Sequence, residues 1–291
     1  MIHSLRTAFA GLATFVACVA LGACKQVSDP SSSTLAPSTS AHASQSTSPA
    51  AGSKAGAPRE QTVVASPWAT EAVNAPDRSA DDRALDEGRH PIEMLSFFGV
   101  TPGQRVAEIA AGGGYTAELL ARVVHPEGKV YGVNSKWILE RFAEKPWSER
   151  LKKPVMANVV RIDRDFDDPL PPEAKDLDAV FMVLFYHDTV WQKVDRAKMN
   201  KAIFNSLKSR GVYAIVDHSG RAGTGTSETE TLHRIEESVV KAEIEAAGFR
   251  LEKRGSFLEN PNDTRDWNGS PRAAAERRGT TDRFVLKFVK P

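Results

Sequence analysis

Beyond residue 90 the hydrophobic positions of the chain follow two alternating patterns. Short apolar runs, typical of buried strands, are separated by segments with apolar residues three and four positions apart, typical of amphipathic helices. The runs predict strands at 105–109, 129–133, 159–162, 179–185, 212–216, 249–258 and 283–289. The helical spacing predicts helices at 91–98, 115–124, 137–142, 195–207 and 235–247. This alternation predicts an α/β fold with a mainly parallel sheet and helices on both faces.

The N-terminus has a different pattern, typical of an export signal. Arg6 precedes an apolar run at 8–21 that is too short and too rich in Ala and Gly to favour a membrane-spanning helix. The run ends in Leu21-Gly22-Ala23-Cys24, which resembles the lipobox of bacterial lipoproteins. In that class of signals the peptide is cut before the cysteine, which then carries the lipid. We therefore expect a signal peptide at 1–23 and a lipid on Cys24; an ordinary secretory signal is the alternative.

The region after the cysteine predicts a tether and a location. Lys25 follows Cys24, and in enteric bacteria a residue other than Asp there indicates the outer membrane. We therefore expect the protein at the cell envelope, lipid-anchored on the periplasmic face of the outer membrane. Residues 24–75 are rich in Ser, Ala and Pro and bury too little apolar surface to fold, so they are expected to be disordered. The folded domain would then span 76–291.

Charge and cysteine content exclude several kinds of site. The formal net charge is +1, so no overall field favours nucleic acid, and we expect no nucleic-acid partner. The two cysteines, Cys18 and Cys24, both precede the folded part. Disulfides, thiolate catalysis and cysteine metal sites are therefore excluded from that part.

The loop after the first strand carries the strongest chemical signal. It reads Val106-Ala107-Glu108-Ile109-Ala110-Ala111-Gly112-Gly113-Gly114-Tyr115-Thr116. Glycines let the backbone approach a ligand closely and can open a helix N-terminus. The segment resembles motif I of the class I S-adenosylmethionine-dependent methyltransferases, an acidic residue followed by x-Gly-x-Gly-x-Gly. Glu108, Gly112 and Gly114 match that pattern.

The resemblance covers about residues 77–291 and implies both a fold and a cofactor. The fold is a Rossmann-like, mainly parallel seven-stranded sheet with an antiparallel last strand. The cofactor is S-adenosylmethionine, with its methionine part and ribose cradled by the loop. The cofactor-binding positions that the resemblance implies are Glu108, Ala110, Gly112, Gly114, Asn134, Asp165 and Phe166.

Some of these positions depart from the family pattern. Ala110 stands where the family has its first Gly. Asn134 ends the second strand where the family has an acidic residue for the ribose hydroxyls; its amide can still form hydrogen bonds but carries no charge. Asp165 follows the third strand and resembles the position that binds the adenine amine, with Asp163 as a competing candidate.

A dinucleotide-dependent oxidoreductase is a rival interpretation of the same glycines. Gly112-x-Gly114-x-x-Ala117 also fits the fingerprint of nicotinamide and flavin enzymes. Three features favour a methyltransferase: an acidic residue four positions before Gly112, Asn134 in place of an acidic ribose ligand, and a closing strand pair at the C-terminus.

Candidate catalytic residues follow the fourth and fifth strands, at the sheet edge where ligands bind. Methyl transfer is an in-line displacement, and a hydroxyl acceptor also needs a base. In the family, residues after the fourth strand face the transferred methyl. The resemblance therefore implies His187 as the base, oriented by Asp188 or Tyr186, with His218 after the fifth strand nearby. A histidine that caps the strand end is the alternative.

Two further sets of residues leave alternatives open. His187, Asp188, Asp217 and His218 are metal-ligand types, but no HxH or HxxxH spacing supports a site, so the sequence predicts no metal. Residues 259–282 carry Arg265, Trp267, Arg272, Arg277 and Arg278. This stretch is either a lid that grips an anionic or aromatic substrate group or a solvated basic loop.

The expected function is methyl transfer to a small-molecule or envelope-associated acceptor, at a hydroxyl group. The Pro-Pro-Tyr motif of amine-directed enzymes is absent after the fourth strand. A non-catalytic ligand-binding lipoprotein on the same fold is the alternative, because S-adenosylmethionine is made in the cytosol and an exported protein must find it elsewhere.

Overall fold

The computed structural model describes residues 62–291, which form a seven-stranded sheet flanked by helices. The strands are β1 (Arg105–Ile109), β2 (Lys129–Asn134), β3 (Val159–Asp163), β4 (Leu177–Val183), β5 (Leu207–His218), β6 (Arg250–Gly255) and β7 (Arg283–Val289). Their order across the sheet is β3-β2-β1-β4-β5-β7-β6. β1 to β5 pair in parallel, and β7 is antiparallel to both β5 and β6. The predicted mainly parallel sheet with an antiparallel last strand is confirmed.

The helices of the described residues range from single turns to three turns. They are α1 (Pro67–Asn74), α2 (Ala80–Arg83), α3 (Asp86–Arg89), α4 (Pro91–Phe98), α5 (Tyr115–Val124), α6 (Lys136–Ile138), α7 (Glu144–Arg150), α8 (Tyr186–Trp191), α9 (Arg196–Ser206), α10 (Thr229–Leu232), α11 (Glu237–Ala246) and α12 (Pro271–Ala274). A π-helical turn at Leu139–Ala143 joins α6 to α7, and 3₁₀ turns lie at Pro154–Met156 and Ala275–Arg277. Within residues 62–291 no helix combines the length and apolar character needed to cross a membrane.

The strand order fixes where a ligand can bind. The chain builds outward from β1 through β2 to β3, and then crosses to the other side of β1 to form β4. β1 and β4 are buried over most of their lengths, which explains the nearly continuous apolar sequence of β4. A reversal of strand order opens a crevice at the carboxyl ends of the two central strands. The β1–α5 loop and α8 both begin at that edge.

Ordered structure begins earlier than the sequence indicates. α1 lies inside the stretch expected to be a disordered tether, and it packs against α4 and α5. Ala69, Ala72 and Val73 are buried in that contact. Three small apolar positions supply this face, too few to stand out in a Ser- and Ala-rich stretch. The predicted signal peptide at 1–23, the lipidated Cys24 and the rest of the tether lie outside the described residues.

The end of β4 also differs from the sequence prediction. The apolar run continues to Phe185, but the strand ends at Val183. Leu184 has a φ of 56°, in the left-handed region, and α8 begins two residues later. His187 therefore lies in the first turn of a helix, and its position is set by the way α8 packs beside β5.

Candidate active site

A cavity of about 1030 Å³ lies at the carboxyl ends of β1 and β4. One side is formed by the β1–α5 loop with Glu108, Ala110 and Gly112, and another by residues of α8. Side chains from α3, α6 and the segment before β7 complete the wall. The cavity therefore occupies the crevice that the strand order creates.

At its glycines, the β1–α5 loop exposes main-chain atoms rather than side chains to this cavity. A Cβ added to Gly112 would meet no atom within 4 Å, and its φ is 55°. Gly114 has a φ of 84°, and a Cβ there would lie 2.4 Å from the Trp147 ring, which is fully buried behind the loop. Ala110 has a φ of 59°, a conformation that costs about 1–2 kcal/mol for a residue with a Cβ. The loop therefore keeps the left-handed bend of a glycine loop even where alanine replaces glycine.

Asn134 supports the β1–α5 loop through two hydrogen bonds. Its Oδ1 accepts a hydrogen bond from the Gly112 amide at 2.8 Å, and its Nδ2 donates to the Gly112 carbonyl at 3.1 Å. The side chain is fully buried and does not line the cavity. The expected role of Asn134 as a ribose ligand is therefore corrected, because both of its polar atoms already bind the loop backbone.

Glu108 brings a buried carboxyl group to the cavity wall. It is 4% exposed, and its Oε2 has no hydrogen-bond partner within residues 62–291. Burial raises the pKa of Glu108 to about 8, although the Thr116 hydroxyl and the positive charge of Arg89 act in the opposite direction. An unpaired buried carboxyl oxygen is costly, and a hydroxyl or ammonium group of a ligand would satisfy it.

A cluster of His187, Asp188 and His233, called here the His-Asp cluster, lies at another wall of the cavity. His187 Nε2 lies 3.0 Å from Asp188 Oδ1 and 3.2 Å from His233 Nδ1. His233 Nδ1 lies 3.0 Å from the same Asp188 oxygen. His187 is 2% exposed, whereas the side chain of His233 is 23% exposed. His233 is therefore the member of the cluster that a ligand reaches most easily.

The surroundings of His187 do not suit the predicted role of a base. Its Nδ1 lies 2.6 Å from Asp217 Oδ1, and its backbone amide donates to Asp217 Oδ2 at 2.8 Å. Burial disfavours a charged ring, but the carboxylates of Asp217 and Asp188 outweigh burial and raise the pKa of His187 to about 10. The ring is therefore protonated at neutral pH and has no lone pair to accept a proton.

The other two predicted catalytic residues lie differently. Tyr186 is fully buried and points away from the cavity; its hydroxyl donates to Glu243 at 2.8 Å. The expected orienting role of Tyr186 is therefore corrected. His218 lines the cavity, and its Nδ1 lies 2.7 Å from the Thr281 hydroxyl. Burial, followed by the charge of His187, moves the pKa of His218 well below its ordinary value, so its ring is neutral.

Comparisons with known proteins agree with this geometry. The family model for protein-L-isoaspartate(D-aspartate) O-methyltransferase matches residues 89–165, which contain β1, the glycine loop, α5, β2 and β3. The match agrees with the family that the glycine loop predicts, although it covers less than half of the chain. Residues 62–291 have the strand order of the class I methyltransferase fold. A search of curated proteins gives no match.

Solved structures share the fold of residues 62–291 at low sequence identity. A protein described as a methyltransferase, bound to the Trm112 methyltransferase activator of Haloferax volcanii, is 16% identical with a TM-score of 0.51, over 78% of this chain and 99% of that chain. A protein of Galdieria sulphuraria described as a sarcosine dimethylglycine methyltransferase is 16% identical with a TM-score of 0.50, over 73% and 88%. The [4+2]-cyclase SpnF is 15% identical with a TM-score of 0.51, over 73% and 82%. Since a cyclase shares the fold, the fold alone does not fix the reaction.

The cavity fits S-adenosylmethionine at the β1–α5 loop but not at the predicted adenine position. Glu108 offers its unpaired oxygen and Gly112 its open backbone, as a cradled cofactor requires. Asp165 is exposed and does not line the cavity, and Phe166 packs against Phe185 with ring centroids 5.0 Å apart. The adenine-binding roles expected for Asp165 and Phe166 are therefore not supported. Trp137 lines the cavity instead.

Of the arginines that line the cavity, one comes from α3 and two from the stretch that the sequence predicts to be a lid or a basic loop. Arg89, Arg272 and Arg278, called here the cavity arginines, make no side-chain hydrogen bond or ion pair within residues 62–291. Arg265 instead pairs with Asp282 at 2.7 Å, and Arg277 stacks on Trp267 at 3.8 Å. The basic stretch before β7 therefore divides into arginines that hold the stretch together and arginines that reach the cavity.

Proposed function

We propose that this protein transfers a methyl group from S-adenosylmethionine to a hydroxyl group of an anionic acceptor, either a small molecule or an envelope-associated compound. One observation carries the proposal: a single cavity brings together the glycine loop with Glu108, the His-Asp cluster and the cavity arginines. These three groups supply a place for the cofactor, a place for the acceptor oxygen and a place for the acceptor's charge.

The cofactor end of the cavity is organised before any ligand arrives. Asn134 fixes the Gly112 peptide from both sides, and Trp147 supports Gly114 from behind. Glu108 holds its carboxyl group at the loop, where it can accept a hydrogen bond from a hydroxyl or ammonium group. When bound, S-adenosylmethionine supplies a sulfonium methyl group for in-line displacement. A loop that needs no rearrangement binds without an added ordering cost.

The part of the cavity wall that carries the cavity arginines favours an anion. Arg89 is partly buried and stacks over the Tyr115 ring at 4.3 Å, and Arg278 faces the same cavity. Burial, with the nearby charge of Arg278, lowers the pKa of Arg89, so an uncompensated positive charge there is unfavourable. A carboxylate or phosphate would neutralise these groups and can bind guanidinium groups in pairs of hydrogen bonds.

The His-Asp cluster is the place where the acceptor oxygen is received. His187 is held by two carboxylates and does not take a proton, so its part is to position Asp188 and His233. His233 is the exposed member and lies at the cavity surface. The acceptor hydroxyl therefore meets the His233 side of the cluster first.

The charge of the acceptor can be tested with a pair of neighbouring arginines. The full chain would be incubated with methyl-labelled S-adenosylmethionine and a cell-envelope extract separated by anion exchange. We expect label in a retained, anionic fraction. Arg278→Gln should raise the KM for that fraction roughly 10-fold or more, because one charge-assisted hydrogen bond is lost. The control Arg277→Gln should leave KM unchanged, since Arg277 stacks on Trp267 outside the cavity. Label confined to neutral fractions, or equal effects of the two changes, would contradict the proposal.

We also propose that the enzyme works at the cell envelope, held by a lipid on Cys24. The support is the order of a charge, an apolar run, small residues and a cysteine in residues 6–24. Acyl chains anchor a protein through the burial of their methylene groups. In a bacterial host, Cys24→Ser should abolish incorporation of labelled palmitate and release the protein from the membrane fraction. Retention of label by the variant would refute the anchor without affecting the proposed reaction.

A further inference from the structure

Three side-chain atoms of the His-Asp cluster face one another in a small triangle. They are His187 Nε2, Asp188 Oδ1 and His233 Nδ1, and their separations are 3.0, 3.0 and 3.2 Å. The three residues come from two places in the chain, the first turn of α8 and the residue after α10. Each of them lines the cavity, so the triangle is accessible to a ligand.

The size of the triangle matches one face of a metal coordination shell. Zinc binds histidine nitrogen and carboxylate oxygen at about 2.0–2.2 Å, which places the ligand atoms of a tetrahedral site roughly 3.2–3.6 Å apart. The observed separations lie at or just below this range. A small outward movement of the side chains is therefore enough to place an ion against all three atoms.

Groups behind the triangle fix the orientation of two of its members. Asp217 Oδ1 lies 2.6 Å from His187 Nδ1, so the proton on Nδ1 is held by a carboxylate and Nε2 faces the triangle. The Trp191 indole nitrogen donates to Asp188 Oδ1 at 2.8 Å. A histidine backed by a carboxylate is the usual outer arrangement of a protein metal site.

Hydrogen bonds hold the three atoms together when no metal is bound. With Nδ1–H of His187 directed at Asp217, a second proton on Nε2 is donated to Asp188 Oδ1, 3.0 Å away. A metal ion can take the place of that proton, and only a metal ion would also bind His233 Nδ1 from the same point.

We propose that His187, Asp188 and His233 bind a divalent transition-metal ion of the zinc type, with an open coordination position toward the cavity. Two histidines and one carboxylate are a ligand set that zinc accepts in sites with one open position. This ligand set keeps two of the four metal-ligand types noted in the sequence, His187 and Asp188, and adds His233 in place of Asp217 and His218. Asp217 lies behind His187 and does not face the triangle, and His218 Nδ1 is engaged with Thr281. The sequence predicts no metal, so the proposed ion departs from that prediction.

Metal binding itself is independent of the proposed reaction, but its consequence for catalysis rests on the proposed function. An ion at this position would lower the pKa of an acceptor hydroxyl that reaches it, and the proton would pass to solvent water. The site would then need no side-chain base.

The test uses two histidines with the same backbone conformation. His233 and His90 have φ values of 52° and 46°, and asparagine tolerates this left-handed region well. His90 lies outside the cavity, and its nearest charged partner is Glu93 at 3.7 Å. The purified full chain, stripped with a chelator, would be titrated with Zn²⁺ in the absence of cofactor and acceptor. We expect one ion to bind per chain, with affinity lowered roughly 100-fold by His233→Asn and unchanged by His90→Asn.

A second variant tests the orientation of His187, and spectroscopy distinguishes a loss of metal binding from a loss of folding. Asp217→Asn should lower Zn²⁺ affinity roughly 10–100-fold, because Asp217 orients a ligand without touching the ion. Co²⁺ in place of Zn²⁺ should give the visible absorption of a tetrahedral complex in the wild type, and His233→Asn should abolish it, while the circular dichroism of both variants stays native. The absence of stoichiometric Zn²⁺ binding by the wild type, or equal binding by His233→Asn, would overturn the proposal. Methyl transfer by the metal-free chain would refute only the catalytic consequence.

Discussion

Replacing Asp263 with alanine is expected to lower the free energy of unfolding by about 3–5 kcal/mol. The Asp263 carboxylate is fully buried and accepts a hydrogen bond from Arg234 at 2.8 Å, and the Arg234 side chain is fully buried as well. The same carboxylate also accepts from the Asp282 amide at 2.6 Å and the Trp267 indole at 2.7 Å. Alanine would leave a buried guanidinium group without its counter-charge and three donors without an acceptor, the third being the Arg265 amide at 3.0 Å.

The Arg234–Asp263 ion pair is expected to position cavity residues as well as to stabilise the fold. Arg234 also donates to the Ser219 carbonyl at 3.1 Å, just after β5, and to the Trp267 carbonyl at 3.1 Å. Arg234 therefore holds the segment before β7, residues 259–282, against the end of the sheet. Arg272 and Arg278 lie in that stretch, so their position at the cavity depends on this buried pair.

Urea unfolding of the full chain measures the effect of Asp263→Ala. The matched control is Asp266→Ala in the same stretch, because Asp266 is exposed and its side chain contacts the Thr264 hydroxyl. An exposed change of this kind should alter the free energy of unfolding by no more than about 0.5 kcal/mol. If both variants lost the same small amount, the buried pair would not have the structural role assigned to it.

The fold could be predicted from the sequence because its signals are local. Most strands contain a short apolar run, and the loop after β1 combines an acidic residue with closely spaced glycines. Both patterns depend only on neighbours along the chain. The sequence predicts an end of β4 two residues too late, because the apolar run continues through Phe185 whereas the backbone turns at Leu184.

The site was predicted less completely because its contacts are not local. His187 and His233 lie 46 positions apart, and their approach depends on how α8 and α10 pack. Asn134 occupies the ribose-binding position of the family, but its amide is directed to Gly112 by a contact that no spacing reveals. Arg89 precedes the first strand, and no motif marks it as a cavity residue.

Replacing Glu108 with glutamine is expected to remove a pH dependence of stability. The folded-state pKa of Glu108 is about 8, above its ordinary value of 4.5. Its contribution to stability is therefore complete below pH ~4.5 and is lost as the pH rises through ~8. Between these limits the wild type should lose on the order of 4 kcal/mol relative to Glu108→Gln. The free energies of unfolding at pH ~5 and ~9, without cofactor, measure this difference, and a constant offset between the two proteins would contradict it.

The same carboxyl group should make cofactor binding depend on pH in the opposite direction. If S-adenosylmethionine binds the ionised form of Glu108, the protonated carboxyl must first lose its proton, so affinity should rise roughly tenfold per pH unit up to ~8 and then level off. Glu108→Gln should bind more weakly at pH ~8, by roughly 10–100-fold, and should lose this slope. Calorimetric titration of the full chain at pH ~6, ~7 and ~8 measures both effects. Glu140→Gln is the control, since its side chain is 59% exposed and pairs with Lys136. A slope that survives in Glu108→Gln would assign the pH dependence to another group and remove the carboxyl from the cofactor site.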